Sequence, residues 1–274
     1  MYSSPKTIRM KEAIDTDSLS GRVIWSPSKS IWYSCHLMVA LVGGAFTLSI
    51  SSVMVFLVTS VVVLCLGHSL GMHRRLIHRS YKCKLWIEYL FVYFGVLTGL
   101  GGPFGMIYQH DLRDWAQRRE HCHKYLMHGS SIWHDAWWQI HCDIILDDPP
   151  TLILEQEIVH SRIYRFLEST WMLQQVPIAI LLFLLGGVEW VIWGISVRVV
   201  VSISGHWFIG YLAHNGSYRR WHVESAAVQG YNVPLAGLIT MGESWHNNHH
   251  AFPGSAKLGH TVTEADPGWW VLVL

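Results

Sequence analysis

The chain has 274 residues, of which 51% are hydrophobic and only 14% charged, with a mean hydropathy of +0.25 and a formal charge of +1. A soluble domain of this size would be unusually apolar, so the composition points to an integral membrane protein and excludes disorder and collagen-like repeats. Near-neutral charge argues against a nucleic-acid partner, and five cysteines without a C-x-x-C spacing exclude a secreted disulfide scaffold.

Residues 1–30 mix Lys6, Arg9, Lys11 and Arg22 with Glu12, Asp15 and Asp17 and contain no apolar core. They do not form a signal peptide and are expected to be a mobile aqueous tail preceding a single domain over 31–274. From Ile31 to Gly71 there is no Lys, Arg, Asp or Glu. At about 20 residues per crossing, this length holds two spans, Ile31 to Leu48 and Val53 to Gly71, joined by a tight turn at Ser49 to Ser52. Leu85 to Tyr108 is apolar but carries Glu88 and a glycine-rich end, and predicts an interfacial or re-entrant helix. A second hairpin is expected from Trp171 to Gly186 and Val188 to Leu212, with Gly186-Gly187 as its turn and a kink at Pro177.

Basic residues follow each hairpin: Arg74, Arg75, Arg79, Lys82 and Lys84 after the first, Arg219 and Arg220 after the second, with Arg113, Arg118, Arg119 and Lys124 between them. Neither hairpin turn has a Lys or Arg. The positive-inside rule then places both termini and these segments on the cytoplasmic side. The expected architecture is all-α, with four transmembrane helices in two hairpins under a cytoplasmic helical cap.

Most of the 18 histidines fall in those same segments. In Gly242-Glu243-Ser244-Trp245-His246-Asn247-Asn248-His249-His250, a helix places His246, His249 and His250 on one face. Asn247 stands where a zinc protease of the H-E-x-x-H type needs glutamate, so the hydrolytic reading lacks its general base. A plain surface histidine patch is the bland alternative. His73 and His78 are five residues apart, a rotation of about 140° on a regular helix, so they share a face only if the helix end departs from regularity. His214 stands alone at the end of the last span. The middle segment offers His110, His121, His123 and His128 without a geometric rule, and His134 and His141 extend that pool. A mostly imidazole donor set suits Zn, Cu, Fe or Ni, and there are more candidate ligands than one ion can use. Two metals at the mouth of a membrane-embedded cavity suggest redox chemistry on a lipid.

The sequence resembles the membrane fatty acyl desaturases, a di-iron, oxygen-dependent family with three histidine boxes. Gly67 to Tyr81 (GHSLGMHRRLIHRSY) is similar to the first box and Gly242 to Pro253 (GESWHNNHHAFP) to the third. Ser255 to Gly259 and Asp266 to Trp270 continue the likeness. Arg198 lies 16 residues before His214 with Trp207 between them, as in many members, and would otherwise be an expensive intramembrane charge. Two positions depart from the pattern. Arg119 and Cys122 stand where the second box has histidines, leaving His123, and Gly210 replaces an asparagine common four residues before the lone histidine.

The resemblance implies an oxidoreductase that uses two iron ions and O2 to desaturate a fatty acyl chain, with electrons from an external ferredoxin or cytochrome b5 system. The ligands it implies are His73, His78, His121, His123, His214, His246, His249 and His250, with His110 and His128 in reserve. Glu243, Asp111 and Asp114 are expected to hold ligand N–H groups, with Glu120 and Asp135 as further candidates. Trp115, Trp137, Trp138, Trp207 and Trp245 either line an acyl tunnel or belong to an interfacial aromatic belt. Arg74, Arg75, Arg79 and Lys82 serve either as topogenic charge or as a grip on a phosphate. Competing readings are a hydroxylase or acetylenase on the same scaffold, a haem-binding electron carrier using His36, His68 and His206, and a non-catalytic metal-handling protein.

Overall fold

The computed structural model describes residues 9–274, and the fold is mainly helical. Two short antiparallel strand pairs tie the start of the described chain to its middle. Strand β1 (Met10–Lys11) pairs with β4 (Thr151–Leu152), and β2 (Gly21–Trp25) pairs with β3 (Cys142–Leu146), with Trp25 opposite Cys142. Arg9 is buried, bonding Asp111, Glu155 and the carbonyls of Leu76 and Ile77. Residues 9–30 are therefore packed against the body where the sequence suggested a mobile tail. The acids that complete Arg9 lie more than 100 residues away, beyond the reach of a local reading.

Helix α1 (27–46) is followed after a short break by helix α2 (Ile50–Ile77). The break falls beside the predicted serines. The Ser49 hydroxyl accepts from the Ser52 amide at 3.1 Å, and the Ser52 hydroxyl accepts from the Ser49 amide at 2.8 Å, a reciprocal cap that starts α2. From Val62 to Ile77 α2 is wound in π turns, each amide reaching five residues back. Helix α3 (Leu85–Val96) lies along this stretch. It has 12 residues, about 18 Å of helix, too short to cross a hydrocarbon core of about 30 Å. Gly67 and Gly71 let the two backbones touch, because a β-carbon at either would collide with the main chain of Phe94 or Phe91.

After α3 the chain turns at Gly99 (φ 81°) into α4 (Pro103–Gln117), then α5 (Ile132–His141), and the short helices α6 (Gln156–Val159) and α7 (Arg162–Thr170). The apolar segment 175–215 is two helices, α8 (175–185) and α9 (188–215), because Gly186 and Gly187 have non-helical dihedrals. A β-carbon on Gly194 would strike the Leu182 side chain. Twelve residues of straight helix would separate these two by about 18 Å, so the chain folds back at the predicted turn. Pro177 produces no kink, since it lies in the first turn of α8, where its missing N–H costs nothing. Helices α10 (His246–Ala251) and α11 (Pro267–Leu272) close the chain.

Among the described residues, two helical segments, Ile50–Ile77 and Gln175–Asn215, are long and apolar enough to cross a membrane. Their surfaces are inverted relative to a soluble protein. Leu57, Val58, Ile180, Phe183, Leu184 and Leu185 are exposed, while Ser52, Ser69, Ser196, Ser202 and Arg198 are buried. Arg198 is 1% exposed and its charge is shared among backbone acceptors. It donates to the carbonyls of Leu97 and Gly194 and to Gln175 Oε1, and Gln175 donates in turn to Leu97. Leu97 caps α3, so the cation sits at the negative end of that helix dipole.

Candidate metal centre

The π winding of α2 decides the first half of the site. On an α-helix His73 and His78 diverge, but here the His78 amide bonds the His73 carbonyl at 3.0 Å, and residues five apart share a face. Their ring centroids stand 4.7 Å apart. His249 on α10 packs at 4.5 Å from each, and His110 on α4 joins them with its Nε2 3.1 Å from His78 Nε2. One nitrogen from each of these four rings lies within 4.8 Å of all the others.

His214, at the end of α9, meets His246 and His250 of α10 in a second group on the same distance criterion. His214 Nε2 and His246 Nε2 are 3.1 Å apart, and His246 and His250 have centroids at 4.3 Å. The i, i+3, i+4 spacing of the third box thus feeds both groups: His249 goes to the first, His246 and His250 to the second. Burial and the neighbouring imidazoles hold His246 and His249 well below the ordinary histidine range, in the neutral form that ligates metal.

The donor chemistry fits metal ions. Imidazole nitrogens facing each other at 3.1 Å need a proton or a cation between them, and the Nδ1 atoms of His214 and His249 are buried with no hydrogen-bond partner. Glu243 Oε2 stands 2.5 Å from His73 Nδ1, its other oxygen accepting from Ser69 and Arg74. Burial alone would raise the Glu243 pKa. His73 and Arg74 outweigh it and hold the carboxyl below its usual range, ionised against the imidazole. Asp111 Oδ1 contacts His110 Nδ1 at 3.1 Å in the same way.

The remaining predicted residues are placed differently. His110, a reserve by sequence, is in the first group, whereas His121 and His123 are in neither. Helix α4 ends at Gln117, and the following turn is drawn towards residue 18: the His123 amide bonds the Ser18 carbonyl at 2.9 Å, and the Ser18 hydroxyl bonds the His121 carbonyl at 2.6 Å. His121 is exposed, and His123 Nδ1 accepts from the Tyr125 amide at 3.1 Å. Arg119 pairs with Glu12, and Cys122 is buried in an apolar cluster with Trp115 and Leu126. Asp114 pairs with Arg118 at 3.1 Å, Glu120 is exposed, and Asp135 is buried against His128.

Arg74 is no surface grip. It is 1% exposed and tied to Asp266, Glu243 and the carbonyls of Met241 and Ala256, locking the C-terminal segment beneath the third box. Arg75, Arg79 and Lys82 instead line an open cavity of about 710 Å³ whose wall includes His78. Arg75 pairs there with Glu88, and Arg79 with Glu157. Trp115 and Trp245 are occupied structurally, donating to Glu12 and to the Ala265 carbonyl. His36 bonds Ser196, while His68 and His206 touch edge-on at 5.0 Å, leaving no slot for a haem between two axial rings.

Three asparagines and a glutamine escaped the sequence reading. Asn247 takes the amides of Arg220 and Trp221 on its oxygen and donates to the carbonyls of Trp221 and Gly230, while Asn248 donates to Leu258 and Glu264. Asn232 accepts the amide of Asn247 at 2.9 Å, so the non-histidine positions of α10 fasten it. Gln117 is buried, with Nε2 3.2 Å from His214 Nε2. The only available signal was the polarity of two adjacent asparagines inside a histidine box.

The chain is 32% identical over 216 residues to an sn-1 stearoyl-lipid 9-desaturase of Anabaena variabilis, covering 76% of this chain and 75% of the relative. It is 30% identical over 215 residues to an sn-2 palmitoyl-lipid 9-desaturase of Nostoc sp. (strain 36), covering 76% and 73%. It is also 29% identical over 265 residues to an acyl-CoA 5-desaturase of Anemone leveillei, covering 89% and 78%. No protein-family model matches the chain. A mainly helical chain with lipid-type surfaces and two histidine groups is an oxidoreductase of lipid metabolism. It belongs to the fatty acyl desaturase family.

Proposed function

We propose that the chain introduces a carbon–carbon double bond into a fatty acyl chain with O2 at a di-iron centre. The observation that carries this reading is the pair of all-imidazole groups, His73, His78, His110 and His249 beside His214, His246 and His250. Iron bound there would supply oxygen activation: O2, two electrons and two protons take two hydrogens from adjacent methylenes and leave as two waters.

The chain's own residues do the rest. Glu243 and Asp111 stand against Nδ1 of His73 and His110, which leaves Nε2 of each ring as the nitrogen that would hold iron. Arg74 and Asp266 hold α10 against α2, so ligands from distant segments keep one geometry. The acyl chain enters from the lipid side, and its remote methylenes orient the reacting carbons. The cavity lined by Arg75, Arg79 and Lys82 receives the charged end of the substrate or the electron donor.

The chain in this reading makes four crossings in two hairpins, α1 with α2 and α8 with α9, under a helical cap. The short length of α3 and its end at Arg198 support a re-entrant helix. The basic loops support a cytoplasmic position for the histidine clusters and both termini, with residues 31–274 as the catalytic domain. Electrons come from a separate ferredoxin or cytochrome b5 system.

Expression in a host with a simple lipid profile, followed by fatty-acid analysis, tests the reaction. A new alkene that requires air is the expected product. A hydroxy or alkynyl product, or an unchanged profile from iron-loaded protein, contradicts desaturation.

A further inference from the structure

The two groups are unequal. The first has four rings, with Glu243 and Asp111 against two of them, whereas the second has three. Beside the second group lies a histidine that neither group uses. His128 is 5% exposed, and its ring lies 5.4 Å from that of His214, nearly parallel at 12°. Its Nδ1 stands 2.8 Å from Oδ2 of Asp135, which is fully buried. The same oxygen accepts from Trp207 Nε1 at 2.9 Å, so the carboxylate is fixed from both α9 and the turn after α4.

That arrangement settles the tautomer of His128. A carboxylate on Nδ1 takes its N–H and leaves the lone pair on Nε2, the form in which histidine binds a metal. The Nε2 atom has no protein hydrogen-bond partner among the described residues. It points at Gly210, where a β-carbon would stand 3.2 Å away, tighter than ordinary packing allows. Gly210 lies one turn before His214 on α9, so its bare face is the face that carries the ligand. The backbone is also committed to this placement: His128 adopts φ 54°, uncommon for a residue with a β-carbon, and its carbonyl accepts from Asn215 at 3.0 Å.

We infer that His128 is a fourth nitrogen ligand of the second metal, held by Asp135 and admitted by the missing side chain of Gly210. It supplies, from further along the chain, a nitrogen that Arg119 and Cys122 do not provide. The inference rests on the two-metal reading above.

Purified full-length chain in detergent, stripped of metal and titrated with ferrous iron against a competing chelator, separates the two propositions. The wild type takes up two equivalents. His128→Ala lowers affinity for one of them by about 100-fold or more and leaves the other unchanged. Asp135→Asn lowers the same equivalent 10- to 100-fold, the range for outer partners of metal-bound histidines. Gly210→Ala, which crowds Nε2, lowers it about tenfold, and His134→Ala on the exposed face of α5 changes neither. Asp135→Asn also covers the case in which His128→Ala fails to fold, because it preserves size. Two full-affinity equivalents in well-folded Asp135→Asn and Gly210→Ala overturn the assignment of His128 and leave the two-metal reading standing. Fewer than two equivalents in the wild type overturn both.

Discussion

The two histidine groups draw on the same short helix and yet are built in different ways. The first is made by α2, α4 and α10, with acids directly behind His73 and His110. The second is made by α9 and α10, and Asp135 stands behind a neighbouring ring, His128, outside the group. The difference lies in what each can lose. In the first group a removed carboxylate weakens one of four ligands, whereas in the second every remaining nitrogen is needed to complete a coordination shell.

The largest effect expected is from His249→Ala and His246→Ala. Each abolishes product formation while the protein stays membrane-inserted, and they remove different ions: each single variant retains one equivalent and the double variant none. Retained turnover in either variant breaks the assignment of α10 to both groups. Next is Glu243→Gln, which leaves His73 without its charged acceptor and lowers iron affinity 10- to 100-fold in the first group alone. Asp111→Asn acts on His110 in the same direction but by a few-fold, since Asp111 stands 3.1 Å from Nδ1 where Glu243 stands at 2.5 Å; a chelator titration ranks the two. Smallest are His121→Ala and His123→Ala, whose iron content and activity stay within about twofold of wild type. Loss of iron in either would show that the turn after α4 swings into the site.

How much of this could be read in advance varies by segment. The third box was legible because its three histidines follow a local helical rule, and the Gly186-Gly187 turn because glycine pairs break helices. The meeting of His73 and His78 was not, since five-residue spacing suits only a π-wound helix, and that winding runs along the stretch where Gly67 and Gly71 pack against α3. The choice of His110 over His121 and His123 depends on where α4 ends and on bonds to Ser18, a residue about 100 positions away. Aligning the second box by pattern favoured His123 for that reason. The partner of Arg198, the carbonyl end of α3, was also invisible because the interfacial or re-entrant helix read over Leu85 to Tyr108 ends at Val96.

The central claim is that two unequal groups must both hold metal for the chemistry to proceed. Stripped wild-type protein, reloaded stepwise with ferrous iron and assayed for alkene formation under air with an electron donor, tests it directly. The account predicts negligible product up to about one bound equivalent and a rise to full activity as the second fills. Full activity at one equivalent, or undiminished activity in the stripped protein, would contradict it.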